Sequence, residues 1–142
     1  MELRKTASQI EHMEKPWGYE LIWAKTDRYA AKILHIDKGQ RLSYQYHQRK
    51  DEAMLVASGK ILVELEGEGG EKTISYLNAG ECLHLPALTR HRITAVEDSD
   101  VFEVSTPELD DVVRLEDDHG RVEKVETNKN RNARERKAKK GK

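Results

Sequence analysis

The sequence predicts an all-β protein built as a double-sheet jelly roll, and three observations carry that prediction. Short β-rich runs bounded by Gly, Pro, Asn and Asp follow one another from Pro16 onward. Residues 60–66 alternate strictly, with Ile61, Val63 and Leu65 on one face. No segment carries the 3.6-residue apolar stripe of an amphipathic helix. Short strands joined by tight turns, with few helices to cover them, must bury their apolar faces against one another in a sandwich or barrel.

Residues 1–14 are expected to form a short N-terminal arm or helix. Strands follow at 19–24, 29–36, 42–47 and 52–57, the last two joined as a hairpin by a turn through Arg49, Lys50 and Asp51. Gly67, Gly69 and Gly70 make a flexible turn between strands 60–66 and 72–77. The strand at 81–85 ends at Pro86, and strands at 90–96 and 101–105 complete the set. Residues 127–142 are too polar to bury anything and are expected to be disordered. The expected division is an arm (1–14), one folded domain (15–125) and a basic tail (126–142).

With 142 residues, 37% apolar and 36% charged, the chain suits a single domain with a modest core. Its net charge of -1 hides an asymmetry: residues 129–142 hold eight Lys or Arg against one Glu, which is +7 and leaves -8 for the rest. An acidic body argues against a nucleic-acid surface, and the tail reads as a solvated segment. The single cysteine, Cys82, excludes an internal disulfide and fits a reducing compartment. No run approaches the ~20 apolar residues of a membrane helix, and the charged first 15 residues make no signal peptide. A soluble cytoplasmic protein is expected.

The chemistry concentrates in two places. Gln45 and His47 share a strand face with Ser43, because strand side chains alternate. Glu52 shares its face with apolar Met54 and Val56, and His91 shares its face with Ile93 and Ala95, so both can point inward. A carboxylate and imidazoles placed inward need compensation, since an unpaired buried charge is very costly, and a divalent cation supplies it. In 81–85 the apolar face belongs to Leu83 and Leu85, leaving Cys82 and His84 opposite. Cys82 reads as a small packed residue without an activating neighbour. His35 and His84 read as structural or solvent-facing, His12 as part of the arm, and Trp17–Gly18 as a structural cap on a barrel end.

Gly39, Gln45, His47, Glu52 and Gly59 follow Gly-x5-His/Gln-x-His-x4-Glu-x6-Gly, while Gly80, Pro86 and His91 follow Gly-x5-Pro-x4-His. This pair resembles the double motif of the cupin superfamily. Three flanks narrow the likeness: Glu-Lys-Pro-Trp-Gly-Tyr-Glu at 14–20, Arg-Leu-Ser at 41–43, and Val-Arg-Leu-Glu-Asp-Asp-His-Gly-Arg at 113–121. Over about residues 15–121 the chain resembles the cupin domain of type II mannose-6-phosphate isomerases, which often forms the C-terminal half of bifunctional mannose-1-phosphate guanylyltransferases. Gln in place of the first cupin His is characteristic of that group.

The resemblance implies a cupin barrel whose metal ligands are Gln45, His47, Glu52 and His91. It implies one divalent ion, zinc by preference, with manganese, iron, cobalt or nickel left open by the ligand types. The implied reaction interconverts mannose 6-phosphate and fructose 6-phosphate through an enediolate, in a homodimer that binds a small sugar phosphate, with no membrane and no nucleic acid expected as partners. Cations must hold the phosphate, and Lys32, Arg41 and Arg49 are the candidates, with Arg121 carried over as a catalytic or substrate-anchoring residue. No general base is assigned. Nor is there room for a nucleotidyltransferase domain or a glycine-rich phosphate loop opening a helix, so GDP-mannose synthesis by this chain alone is not expected. Leu88 replaces a common cupin Gly, Ala95 an Asn, Ala53 an aromatic or His, and His119 the family's Tyr. The last two motivate an alternative reading as a non-catalytic sugar-binding cupin, beside an enzyme acting on another sugar phosphate or a nucleotide sugar.

Overall fold

A computed structural model describes residues 3–122; the disorder expected of 126–142 lies outside the described residues. In chain order the strands are β1 (Glu11–Lys15), β2 (Gly18–Lys25), β3 (Ala30–Ile36), β4 (Tyr44–Tyr46), β5 (Glu52–Ser58) and β6 (Lys60–Glu66). There follow β7 (Lys72–Asn78), β8 (Cys82–Leu85), β9 (His91–Ala95), β10 (Ser99–Ser105) and β11 (Val113–Glu116). They pair antiparallel in two sheets, one ordered β1-β2-β3-β10-β5-β8 and the other β11-β4-β9-β6-β7. This is the jelly roll that the sequence predicts.

Alternation places one row of each strand inside. Leu34, Ile36, Met54, Val56, Leu85 and Val101 of the larger sheet meet Ile61, Val63, Ile93 and Ala95 of the smaller one, all of them buried. Trp17 joins this core, so it is structural as expected. Gly18 has φ 152°, and a Cβ there would lie 1.9 Å from the carbonyl oxygen of His35, so only glycine lets β2 begin so close to β3.

All nine expected strands are present; besides the unexpected strand β11, which pairs with β4, there are three corrections to the pattern around them. Glu11–Lys15, expected in the arm, is an edge strand paired with β2 from Glu11↔Ile22 to Lys15↔Gly18, so His12 is a strand residue. An exposed edge buries little and needs no apolar alternation, which is why Glu-His-Met-Glu-Lys gave no strand signal. The second correction concerns the expected 42–57 hairpin: β4 and β5 lie in different sheets, and residues 47–51 cross between them. The third is Cys82, which is exposed rather than packed.

The loop after Pro86 keeps the backbone that a glycine would favour. Leu88 has φ 70°, the only positive φ outside glycine among the described residues, and its amide donates to the carbonyl of His47 at 2.7 Å. Its side chain is 67% exposed, so little packing offsets a left-handed cost of about 1–2 kcal/mol. Glycine's extra freedom in the unfolded chain returns about 0.5–1 kcal/mol of that. Leu88→Gly is therefore expected to stabilise the domain by roughly 0.5–1 kcal/mol, read as a higher urea midpoint with an unchanged slope.

Candidate metal centre

Two sheet-to-sheet crossings build the site. Residues 47–51 carry the chain from β4 to β5, and residues 86–90 carry it back from β8 to β9. His47 therefore leaves one wall, Glu52 opens the strand on the other, and His91 opens β9 beside β4, where it faces Gln45 in register. Glu52 Oε1 lies 3.5 Å from His47 Nε2 and 3.3 Å from His91 Nε2. One ligand atom from each of the three residues falls within 4.8 Å of the others, and all three residues are buried.

The ring orientations follow from what their other nitrogens touch. His91 Nδ1 donates to the carbonyl of Thr89 at 2.9 Å, and His47 Nδ1 donates to the carbonyl of Asp111. A carbonyl can only accept, so each Nδ1 carries a proton and Nε2 is the atom each ring turns toward Glu52. Both Nε2 atoms and Glu52 Oε1 are buried without a hydrogen-bond partner. Three buried acceptors aimed at one another fit a shared cation, and two imidazoles with one carboxylate suit zinc or another divalent first-row metal.

Lys50 completes the centre, and the sequence reading missed it. Its Nζ sits 2.9 Å from Glu52 Oε2, an ion-pair contact outside hydrogen-bonding geometry, and donates to Glu103 Oε2 at 3.2 Å. Burial opposes the charged form of Glu52, yet His47, His91 and Lys50 outweigh it and hold the carboxyl well below the usual range. Burial likewise opposes the charge on Lys50, and Glu103 and Glu52 outweigh it, so the ammonium is held above its ordinary value.

Asp111 was also missed. Its carboxylate accepts the successive amides of Gln48, Arg49 and Lys50 at 3.0, 2.7 and 2.9 Å, while its carbonyl takes His47 Nδ1. One residue thus fixes both the crossing loop and a ligand ring. Burial pushes the Asp111 carboxyl up, but these amides outweigh it and hold it down. In the sequence Asp111 is one of two adjacent acids, which looks like an ordinary solvated pair.

A cavity of about 630 Å³ opens beside the centre, lined by Gln45, His47, Lys50 and Glu103 among others. Gln45 Oε1 accepts from Ser43 Oγ at 2.6 Å. Lys32 and Arg121 also line the cavity, each with a carboxylate: Lys32 Nζ lies 3.3 Å from Glu20 Oε1, and Arg121 takes both oxygens of Asp117 at 2.8 and 3.0 Å. Arg41 and Arg49, the other expected phosphate holders, do not line it. Arg41 is bound to Asp118 at 2.6 and 2.7 Å on the surface. The bridge Arg41↔Thr94 and the pair Gln45↔His91 set four residues of one strand against three of the other, and such a bulge turns Arg41 to the opposite face from the one parity predicts. Arg49 is exposed because the chain crosses between sheets here, and the inward position falls to Lys50.

Residues 2–117 match the family described as mannose-6-phosphate isomerase C-terminal. The chain is 34% identical over 114 residues to mannose-1-phosphate guanylyltransferase ManC of Salmonella typhimurium, covering 76% of this chain and 22% of that protein. Against mannose-1-phosphate guanylyltransferase of Escherichia coli K12 it is again 34% identical, covering 76% and 23%. The chain thus spans less than a quarter of the length of these relatives. Among solved structures it superposes on KdgF from Halomonas sp. with TM-score 0.63 and 29% identity, covering 74% of this chain and 94% of that one. Oxalate decarboxylase from Lactobacillus farciminis matches with TM-score 0.70 at 18% identity, covering 81% and 36%, a likeness of fold alone.

If the centre takes a metal, free zinc or cobalt at a hundredfold excess over its dissociation constant should add about 2.7 kcal/mol. That corresponds to a rise in Tm of roughly 8–12 °C, and His91→Ala should abolish it. A second expectation concerns Asp117. Burial pushes its carboxyl up, but the Arg121 guanidinium outweighs this and holds it down at about 2, against 3.8 for the free group. The folded value lies below the unfolded one, so the pair contributes stability above about pH 4 that is lost as the pH falls through about 2. Asp117→Asn is expected to cost roughly 2 kcal/mol at neutral pH, with the gap to wild type in urea melts closing below about pH 4.

Proposed function

The chain belongs to the mannose-6-phosphate isomerase C-terminal family of cupin domains, and on that premise we propose that it interconverts mannose 6-phosphate and fructose 6-phosphate. The observation that carries this reading is the convergence of two imidazole Nε2 atoms on Glu52 Oε1, all buried and without hydrogen bonds, beside a cavity with room for a sugar phosphate. His47 and His91 through Nε2, Glu52 through Oε1 and Gln45 through its amide oxygen would hold a divalent ion. Such an ion supplies Lewis acidity, which lowers the energy of negative charge developing on sugar oxygens.

The chain's own residues supply the rest. Lys32 and Arg121 on the cavity wall orient the phosphate. The reading carries with it a cytoplasmic homodimer. Leu55, Phe102 and Val104, exposed on β5 and β10 with Phe102 and Leu55 directly opposite, offer a surface for that pairing. Guanylyltransferase activity is named for the relatives, whose matched part is about a fifth of their length.

A second reading, a sugar-binding cupin without turnover, is favoured by one observation. Lys32 and Arg121 already have carboxylate partners in Glu20 and Asp117. The two readings separate in one experiment. Protein loaded in turn with zinc, manganese, cobalt or nickel is incubated with mannose 6-phosphate, and fructose 6-phosphate is measured. Turnover that disappears in His91→Ala supports the isomerase. A sugar-phosphate-induced rise in Tm without conversion supports the binding protein and defeats the isomerase.

A further inference from the structure

Moving a proton from one sugar carbon to its neighbour needs a group that removes it and returns it. The three centre residues are occupied with one another, so the group must come from the remaining cavity wall. That wall offers four other carboxylates: Glu11, Glu20, Glu103 and Asp110. Glu11 and Asp110 are exposed to water, which would exchange the proton before it could be returned. Glu20 lies on β2, held by Lys32 at 3.3 Å and Lys15 at 3.8 Å, three strands away from β5. Glu103 remains. It sits on β10, adjacent to β5, opposite Met54 in register and only 5% exposed.

We propose that Glu103 is the catalytic base of this site, the carboxylate that carries the proton between C2 and C1 of the sugar; the proposal rests on the isomerase reading. Lys50 ties Glu103 to the centre, with Nζ 3.2 Å from Glu103 Oε2 and 2.9 Å from Glu52 Oε2. The base is thus one ammonium away from the metal-ligating carboxylate. The groups facing Glu103 are Lys32 from β3, Glu52 from β5 and Lys50 from the crossing loop. Burial and then Glu52 push its carboxyl above the ordinary range, with Lys50 and Lys32 pulling the other way. A carboxyl raised in this way holds a proton long enough to return it.

The step balances without a further reactant. With open-chain mannose 6-phosphate in the cavity, the Glu103 carboxylate takes the C2 proton. The C2–H pair becomes the C1=C2 bond and the carbonyl π pair moves onto O1, giving the enediolate. Protonated Glu103 then gives its proton to C1 while the O2 hydroxyl proton passes to O1 and the C2=O2 carbonyl forms. Glu103 ends as the carboxylate it was.

The test compares zinc-loaded wild type, E103Q and E103D. E103Q is expected to lower kcat by roughly 10²–10⁴-fold with KM within about threefold, and to lose the acid limb of the kcat–pH profile. E103D keeps the charge but withdraws the carboxylate by one methylene, and is expected to lose roughly ten- to a hundredfold. Both should retain the zinc-induced rise in Tm, which a merely structural role would lower together with kcat. A folded E103Q with kcat within threefold of wild type overturns the proposal while leaving the isomerase reading intact. Should E103Q not fold, E103D decides: kcat within threefold of wild type overturns the proposal, and the expected loss with an intact zinc response supports it. Wild type that converts no mannose 6-phosphate overturns both.

Discussion

Glu52 is 3% exposed, and an ionised carboxylate that far from water costs several kcal/mol unless its charge is met. Lys50 meets it at Oε2 but is shared with Glu103, so one ammonium serves two buried acids. At Oε1 the neighbours are two imidazoles whose Nδ1 protons are committed to backbone carbonyls. Those rings satisfy Oε1 only by taking a second proton at Nε2 or by sharing a cation with it. A divalent ion held by His47, Glu52 and His91 would stand in for both protons, tying its affinity to pH and its binding energy to the stability of the barrel.

That constraint explains why the crossings matter more than the strands. Neither sheet alone brings an imidazole to Glu52. The five residues 47–51 and the five residues 86–90 do so by switching walls at the same end of the barrel. Each crossing is pinned to the other parts of the site. The amide of Leu88 donates to the carbonyl of His47, and Asp111 holds three amides of the first crossing from the segment before β11. The geometry of the candidate centre therefore depends on the segment before β11 being in place, although none of its three residues lies there. Arg92 reinforces this from the outer side of β9, donating to the carbonyls of Leu42 and Glu116.

The fold and the buried cluster of His47, Glu52 and His91 were legible because both rest on local regularities. Alternation at 60–66 located buried Ile61 and Val63, and apolar neighbours at Met54, Val56, Ile93 and Ala95 turned Glu52 and His91 inward. What escaped depends on register and on contacts between distant segments. The bulge that turns Arg41 outward is one extra residue with no compositional mark. Lys50 looked like a turn residue, and only the switch of sheets places it against Glu103, 53 positions away. Asp111 acts across a separation of more than 60 residues. Edge strands β1 and β11 bury too little to need an apolar pattern, so periodicity was silent on them.

The cavity wall carries charge in alternation. Across the larger sheet run Lys15, Glu20 and Lys32, and Glu103 lies opposite Lys32 in register, followed by Lys50 and Glu52. Each of these cations has an anion beside it, so this stretch of wall is closely paired, and Lys25 and Arg114 add further positive charge to the lining. Under the proposed function, a phosphate entering the cavity would compete with Glu20 for Lys32 and with Asp117 for Arg121. Competition of this kind lowers affinity for any bare anion, because separating a paired, partly buried cation from its carboxylate forfeits an interaction that water does not replace. Under that reading, binding would draw on the sugar as well, through the candidate metal centre. On the proposed function, the same pairing would favour ligands that reach both the cations and the centre.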